Sequence, residues 1–113
     1  MFKLKRIYED YDKNDGFRVL VDRLWPRGIS KEKAKISLWL KEVGPSNELR
    51  KWFGHDPTKW KEFETKYKKE LLDKKDLIDE IKFLEKKHKT LTLLYGAKDT
   101  EHNQAVVLLN FLK

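Results

Sequence analysis

Residues Leu91-Thr92-Leu93-Leu94-Tyr95 form an almost unbroken apolar run, bounded by a charged, helix-like stretch on one side and Gly96 on the other. A strand of that composition has no face suited to water, so it belongs in the middle of a sheet covered on both sides. The chain has 113 residues, enough for one hydrophobic core and too few for two. Hydrophobic residues at 39% sustain that core despite 40% charged residues, which excludes a disordered chain. Together these features predict a single small layered α/β domain over residues 1–113, a mixed sheet of about four strands flanked by helices.

The remaining elements follow from periodicity and caps. Lys3 to Glu9 alternates apolar and charged residues, and Phe17 to Trp25 passes through Val19, Leu20 and Val21. The short polar turn Asp10 to Gly16 between them predicts an antiparallel hairpin. Ser30 is placed to cap a short helix over Lys31 to Lys35, and Ile36, Leu38 and Leu40 then alternate as a third strand. Ser46 caps a stretch carrying Leu49, Trp52 and Phe53 that Gly54 ends, and Asp56-Pro57 restarts a helix. Trp60, Phe63, Tyr67 and Leu71 lie on one stripe of that helix, and Leu77, Ile81 and Leu84 repeat the spacing in the next. Thr100 is placed to cap a final, largely buried helix containing Ala105, Val106, Leu108, Leu109 and Leu112. No internal repeat, low-complexity tract or linker divides the chain.

No apolar segment approaches the roughly 20 residues needed to span a bilayer. Met1 to Arg6 interleaves charged and apolar residues, unlike a signal peptide, so the expected location is cytoplasmic and no membrane association is expected. The absence of cysteine excludes a disulfide, a thiolate nucleophile or an iron–sulfur cluster, and no cofactor is implied. Lysine and arginine total 26 against 19 acids, a net charge of +7 that favours anionic partners. Residues 1–35 carry ten bases and six acids, residues 36–75 ten and seven, and residues 76–113 six of each. The first two-thirds are therefore the expected face for nucleic acid or a phosphorylated small molecule, unless the lysine richness serves only to solvate helices.

Three segments have residue types that carry chemistry. Asp22-Arg23-Leu24-Trp25-Pro26-Arg27-Gly28 leaves the second strand, in a chain with 21 lysines and only five arginines, all within the first 50 residues. A guanidinium holds carboxylate or phosphate with a planar fork that lysine lacks. Arg23, Arg27 and Trp25 are the candidate ligand contacts, against the alternative that Asp22 pairs with an arginine inside the fold. Trp52-Phe53-Gly54-His55-Asp56-Pro57 offers His55 as a base, although a capping role for Asp56 explains the motif more simply. Tyr95 to Gln104 offers backbone amides and Lys98 to an anion, with His102 and Asp99 as a further acid–base candidate. A metal site from Asp99, Glu101 and His102 has no supporting spacing.

The strings Arg18-Val-Leu-Val-Asp-Arg-Leu-Trp-Pro-Arg-Gly28, Trp39-Leu-Lys-Glu-Val-Gly-Pro-Ser46, Trp52-Phe-Gly-His-Asp56 and Leu93-Leu-Tyr-Gly-Ala-Lys-Asp-Thr-Glu-His-Asn-Gln-Ala105 together resemble the YeaO-like family of small prokaryotic proteins. That family is a branch of a larger domain-of-unknown-function superfamily. The resemblance spans nearly the whole chain and implies a small α/β domain with no established activity to transfer. The wider superfamily carries an Asp and Arg after the matching strand, a Cys and Glu at the end of the last strand, and Cys-His-Arg at the following helix start. Tyr95, Ala97 and Asn103-Gln104-Ala105 stand at the latter places here, while Asp22, Arg23 and Arg27 remain to form an anion-facing part. The resemblance thus implies binding rather than thiol catalysis.

Three functional readings follow. The first is a basic module that holds an anion at Arg23, Arg27 and the Lys98 to His102 turn. The second is a hydrolase or transferase using His55 or His102 with Asp22, Asp56 or Asp99. The third is a structural or interaction protein in which Trp25, Trp39, Trp52 and Trp60 are core or partner surface. Convergence of the first and third segments on one cleft separates the first reading from the third.

Overall fold

The computed structural model describes residues 1–113. Its strands are β1 (Phe2–Arg6), β2 (Phe17–Leu20), β3 (Leu38–Trp39) and β4 (Leu91–Tyr95). Its helices are α1 (Lys31–Ala34), α2 (Asn47–Phe53), α3 (Trp60–Leu72), α4 (Lys75–His88) and α5 (Gln104–Leu112). The sheet order is β1-β4-β2-β3, and every pairing is parallel. β4 is central and buried along its whole length, as its composition requires.

The expected antiparallel hairpin and mixed sheet are therefore corrected. β4 lies between β1 and β2, with Leu4 and Val19 both opposite Leu93. The link from β1 to β2 must return along the sheet, roughly 17 Å for a strand of this length. Its ten residues, Ile7 to Gly16, reach at most about 33 Å, enough to cross the sheet but too little to include a full crossover helix. A single 3-10 turn at Lys13–Asp15 interrupts the crossing. Gly16 completes it at φ 66°, where an added Cβ would lie 2.3 Å from the Thr90 carbonyl oxygen.

The two faces of the sheet are covered differently. Val19, Val21, Leu91, Leu93 and Tyr95 point into the main core beneath α2 to α5, where the predicted stripe residues Phe63, Tyr67 and Leu71 are buried. On the other face, Ile7, Leu20, Ala34 and Leu94 form a thin second core closed by Trp25, Ile29, Ile36 and Trp39. The Ser30 and Ser46 caps form as expected, with their hydroxyls accepting from the Lys33 and Leu49 amides. Ile36 and Leu40 flank a third strand reduced to Leu38–Trp39.

The expected Thr100 cap is also corrected. The Asp99 carboxylate takes the Glu101 and His102 amides first, and Asn103 then accepts from Val106 N–H at 3.2 Å. α5 consequently begins at Gln104, and His102 precedes the helix. No helix is long and apolar enough to cross a membrane.

Candidate functional site

With all strands parallel, their carboxyl ends share one edge of the sheet, and insertion of β4 between β1 and β2 separates the loops there. Open parallel sheets place ligands in such crevices. A cleft of about 480 Å³ occupies this edge, lined from the exits of β1, β2 and β4, from α2 and from the start of α5. Arg23, Arg27, Gly96, Ala97, Asn103 and Gln104 all line it, so the first and third sequence segments converge. His55 of the second segment lines it as well.

Asp22 ties the edge together. One carboxylate oxygen accepts the Gly96 amide at 2.9 Å and the other accepts the Gln104 side-chain amide. A side chain at Gly96 would crowd this edge, since an added Cβ would lie 3.0 Å from Asp22 Oδ2 and 3.1 Å from Pro26. Burial raises the Asp22 carboxyl to about 6, against the opposing influence of the Gly96 and Gln104 hydrogen bonds and the Arg50 charge. The alternative in which Asp22 forms an ion pair with an arginine is not what the fold contains, because both oxygens are bound by amides.

The arginines divide into two groups. Arg6 donates to the Ala97 and Gly96 carbonyls at 2.9 and 3.3 Å. Arg18 donates to Lys35 and Ala34 carbonyls at 3.1 and 2.7 Å, closing the last turn of α1. Arg23 donates to Pro45 and Gly44 carbonyls at 2.8 and 3.1 Å, fixing the approach to α2. Each of the three spends its fork on two adjacent main-chain carbonyls. Burial and the nearby Arg23 hold the Lys74 ammonium below its usual range as it donates to the same Gly44 carbonyl at 2.9 Å.

The second group faces the cleft with capacity to spare. Arg27 is exposed, and only its backbone carbonyl is engaged, by the Tyr8 hydroxyl at 2.5 Å. Arg50 makes one bond, from Nη1 to Asn47 Oδ1 at 3.0 Å. Arg23 adds Nη1, which donates to neither carbonyl. The cleft therefore presents guanidinium groups from two elements around apolar walls that include Phe53 and Phe63.

The other candidates have separate environments. Trp25 lines the cleft but is anchored through its indole N–H to the Ile29 carbonyl at 2.8 Å and packs edge-on against Trp39. His55 is exposed and takes a left-handed φ of 57° directly after Gly54, with its ring 6.3 Å from that of Phe53. Lys98, Asp99 and His102 lie outside the cleft lining. His102 Nδ1 is 2.9 Å from Asp99 Oδ2, and its ring packs edge-on against Trp60. The Glu101 amide, and next the His102 ring, hold Asp99 below the usual carboxylate range. Asp56 accepts the Thr58 amide and hydroxyl, the capping role anticipated for it. All four tryptophans are half-buried, so none forms an open aromatic patch.

Sequence reasoning missed Arg50, Tyr8 and Gln104 at the cleft. The bias toward arginine in the first 50 residues was a signal for Arg50, and the exit of β1 was a signal for Tyr8. The Asp22–Gln104 bond joins residues 82 apart in the chain and had no local signature.

The model of the family described as the inactive DUF488-N3 subclade matches residues 1–113. The uncharacterised YeaO protein of Escherichia coli is 42% identical over 109 residues, covering 96% of this chain and 94% of its own length. An uncharacterised protein of Mycobacterium tuberculosis is 49% identical over 71 residues, covering 63% of this chain and 60% of its own length. An uncharacterised Mycobacterium bovis protein matches with the same identity and coverage, so the match spans about 60% of the mycobacterial relatives. No solved structure matches. The full-length family match and the similarity to the E. coli protein place this chain in the YeaO-like family, within the inactive DUF488-N3 subclade.

Proposed function

We propose that this protein is an anion-binding module that takes a phosphate ester in the cleft at the carboxyl edge of its sheet. The observation that carries this reading is the convergence of Arg27, Arg50 and the free Nη1 side of Arg23 on one cleft of about 480 Å³. That volume lies in the range of small-ligand sites, roughly 300–1,000 Å³. A fork with unused donors suits phosphate oxygens, and the net charge of +7 raises the rate of encounter with anions.

Binding is favoured over catalysis on two grounds. The family description is of an inactive subclade, and of the acid–base candidates the Asp99–His102 pair lies away from the cleft lining while Asp22, within it beside His55, has both oxygens bound by amides. The test is calorimetric titration of the parent chain and an Arg27→Ala/Arg50→Ala variant with inorganic phosphate and thymidine 5′-monophosphate. The parent binds the nucleotide with salt-dependent affinity, and the variant, equally stable, binds at least tenfold more weakly. No binding by the parent at low salt, or equal binding by the variant, overturns the reading.

A further inference from the structure

A second depression, of about 380 Å³, lies beside the cleft and shares Tyr8 as a wall. It is lined by Tyr11, Gly28 and Ile29 and by Lys33 and Lys35 from the end of α1. Neither tyrosine is core: Tyr8 is 39% exposed and Tyr11 48% exposed. Cations lie over both rings, Arg6 at 4.8 Å from the Tyr8 centroid and, at Tyr11, the Lys35 ammonium at 4.9 Å and the Arg18 guanidinium at 5.3 Å. The Tyr8 hydroxyl is bonded to the Arg27 carbonyl, which fixes its ring at the junction of the two depressions.

Aromatic rings interleaved with cations along a groove are the means by which proteins hold single-stranded nucleic acid, with bases stacked on the rings and phosphates along the charges. We propose that the two depressions form one track for single-stranded nucleic acid, in which consecutive bases lie on Tyr8 and Tyr11 and a phosphate of the chain lies at Arg27. This deepens the phosphate-ester reading and rests on it. Glu9 and Asp10 also line the second depression, where they offset Lys33 and Lys35. The Glu9 carboxylate accepts the Arg6 amide at 2.9 Å, which turns it toward its own backbone. The second unit therefore gains by stacking more than by charge.

The experiment compares thymidine 5′-monophosphate, 5′-phosphorylated dithymidylate and a hexathymidylate on the same chain, by calorimetry at two salt concentrations. The dinucleotide binds about tenfold more tightly than the mononucleotide, as stacking of one further base requires, and most of that gain persists at the higher salt. Tyr11→Ala abolishes the gain and leaves mononucleotide affinity unchanged. Because the Tyr11 ring lies against the buried Arg18 guanidinium, a second variant, Lys33→Glu at an exposed position, guards against a folding defect. It weakens hexathymidylate but not mononucleotide. Mononucleotide binding without any dinucleotide gain overturns the track and leaves the cleft reading intact. Failure of all three probes overturns both, and equal affinity for a blunt duplex of the same length overturns the single-strand assignment.

Discussion

Two Asp/Arg combinations bracket β2, and the fold treats them in opposite ways. At its start, Arg18 is 2.5 Å from the Asp15 carboxylate, with Lys5 on the same carboxylate at 3.1 Å. Burial works against that charge, yet hydrogen bonds from Lys5, the Asp12 amide and Arg18 hold Asp15 below the usual carboxylate range. At the end of β2, Asp22 and Arg23 are sequence neighbours that do not pair: the carboxylate takes amides and the guanidinium takes carbonyls. The first set is electrically closed and belongs to the scaffold. The second leaves an enclosed carboxyl and unspent arginine donors at the edge where parallel sheets place ligands. The same residue types therefore specify stability or a site according to whether their charges are mutually satisfied.

The largest effect expected is at the closed end. Arg18→Met removes one partner of a buried pair, leaving the Ala34 and Lys35 carbonyls without this donor and the Asp15 carboxylate with only Lys5 and the Asp12 amide, for a loss of about 3–5 kcal/mol. Urea unfolding at neutral pH measures it, and a loss below about 1 kcal/mol would show that water replaces the guanidinium freely.

The open end gives the opposite sign. A carboxyl raised from 3.8 to about 6 binds its proton more tightly in the folded than in the unfolded chain. Stability contributed by that group is therefore greatest below pH 3.8 and falls as pH rises to about 6, leaving the folded state about 3 kcal/mol worse off at pH 7. Asp22→Asn retains an acceptor for the Gly96 amide and removes the charge, so the variant gains about 2 kcal/mol at pH 7. Its stability also loses this downward slope between pH 4 and 6, while Asp15, Asp56 and Asp99, all lowered, act at lower pH. A thermal unfolding series across pH 3.5–8 tests both parts.

Much of this contrast was readable in the chain, for identifiable reasons. The apolar run at 91–95 placed a central strand because burial on two faces leaves no other composition, and the α3 stripe held because its period matches a helix. The Asp22–Gly28 segment was nominated as a site by arginine usage and strand exit, both of which are local. Parallel pairing of β1 was not readable. A polar link of this length suits a hairpin or a bare crossover, and the choice was made by β4, more than 80 residues away in the chain. Arginine usage also misled in part. The planar fork does matter at Arg6, Arg18 and Arg23, but apart from the Asp15 carboxylate at Arg18 its partners are backbone carbonyls, which no residue pattern announces.

Arg23 lies between the two extremes. Arg23→Lys keeps the charge but cannot span the Gly44 and Pro45 carbonyls, so one carbonyl loses its donor and stability falls by about 1–2 kcal/mol. Hydrogen exchange should rise locally at the start of α2, because that loop is what the fork holds. Unchanged exchange there would assign the anchoring to Lys74, which shares the Gly44 carbonyl.

The smallest change in stability, and the sharpest test of the open end, is at Arg27. Its side chain is exposed and engages no protein group, so Arg27→Lys should leave the unfolding midpoint within about 0.5 kcal/mol of the parent. A lysine nonetheless offers a point charge where the guanidinium offers a planar fork, and nothing in the fold orients it. If the cleft holds phosphate through that fork, nucleotide affinity falls about five- to tenfold, equivalent to roughly 1–1.4 kcal/mol at one charge-assisted bond. The salt dependence stays the same, because the number of cations released to the ligand has not changed. Equal affinity in the two proteins would mean that Arg27 acts only as charge, and the fork-based reading of the cleft would then rest on Arg50 and the free Nη1 of Arg23. A fall in both affinity and stability would instead mean that Arg27, like Arg18, belongs to the scaffold.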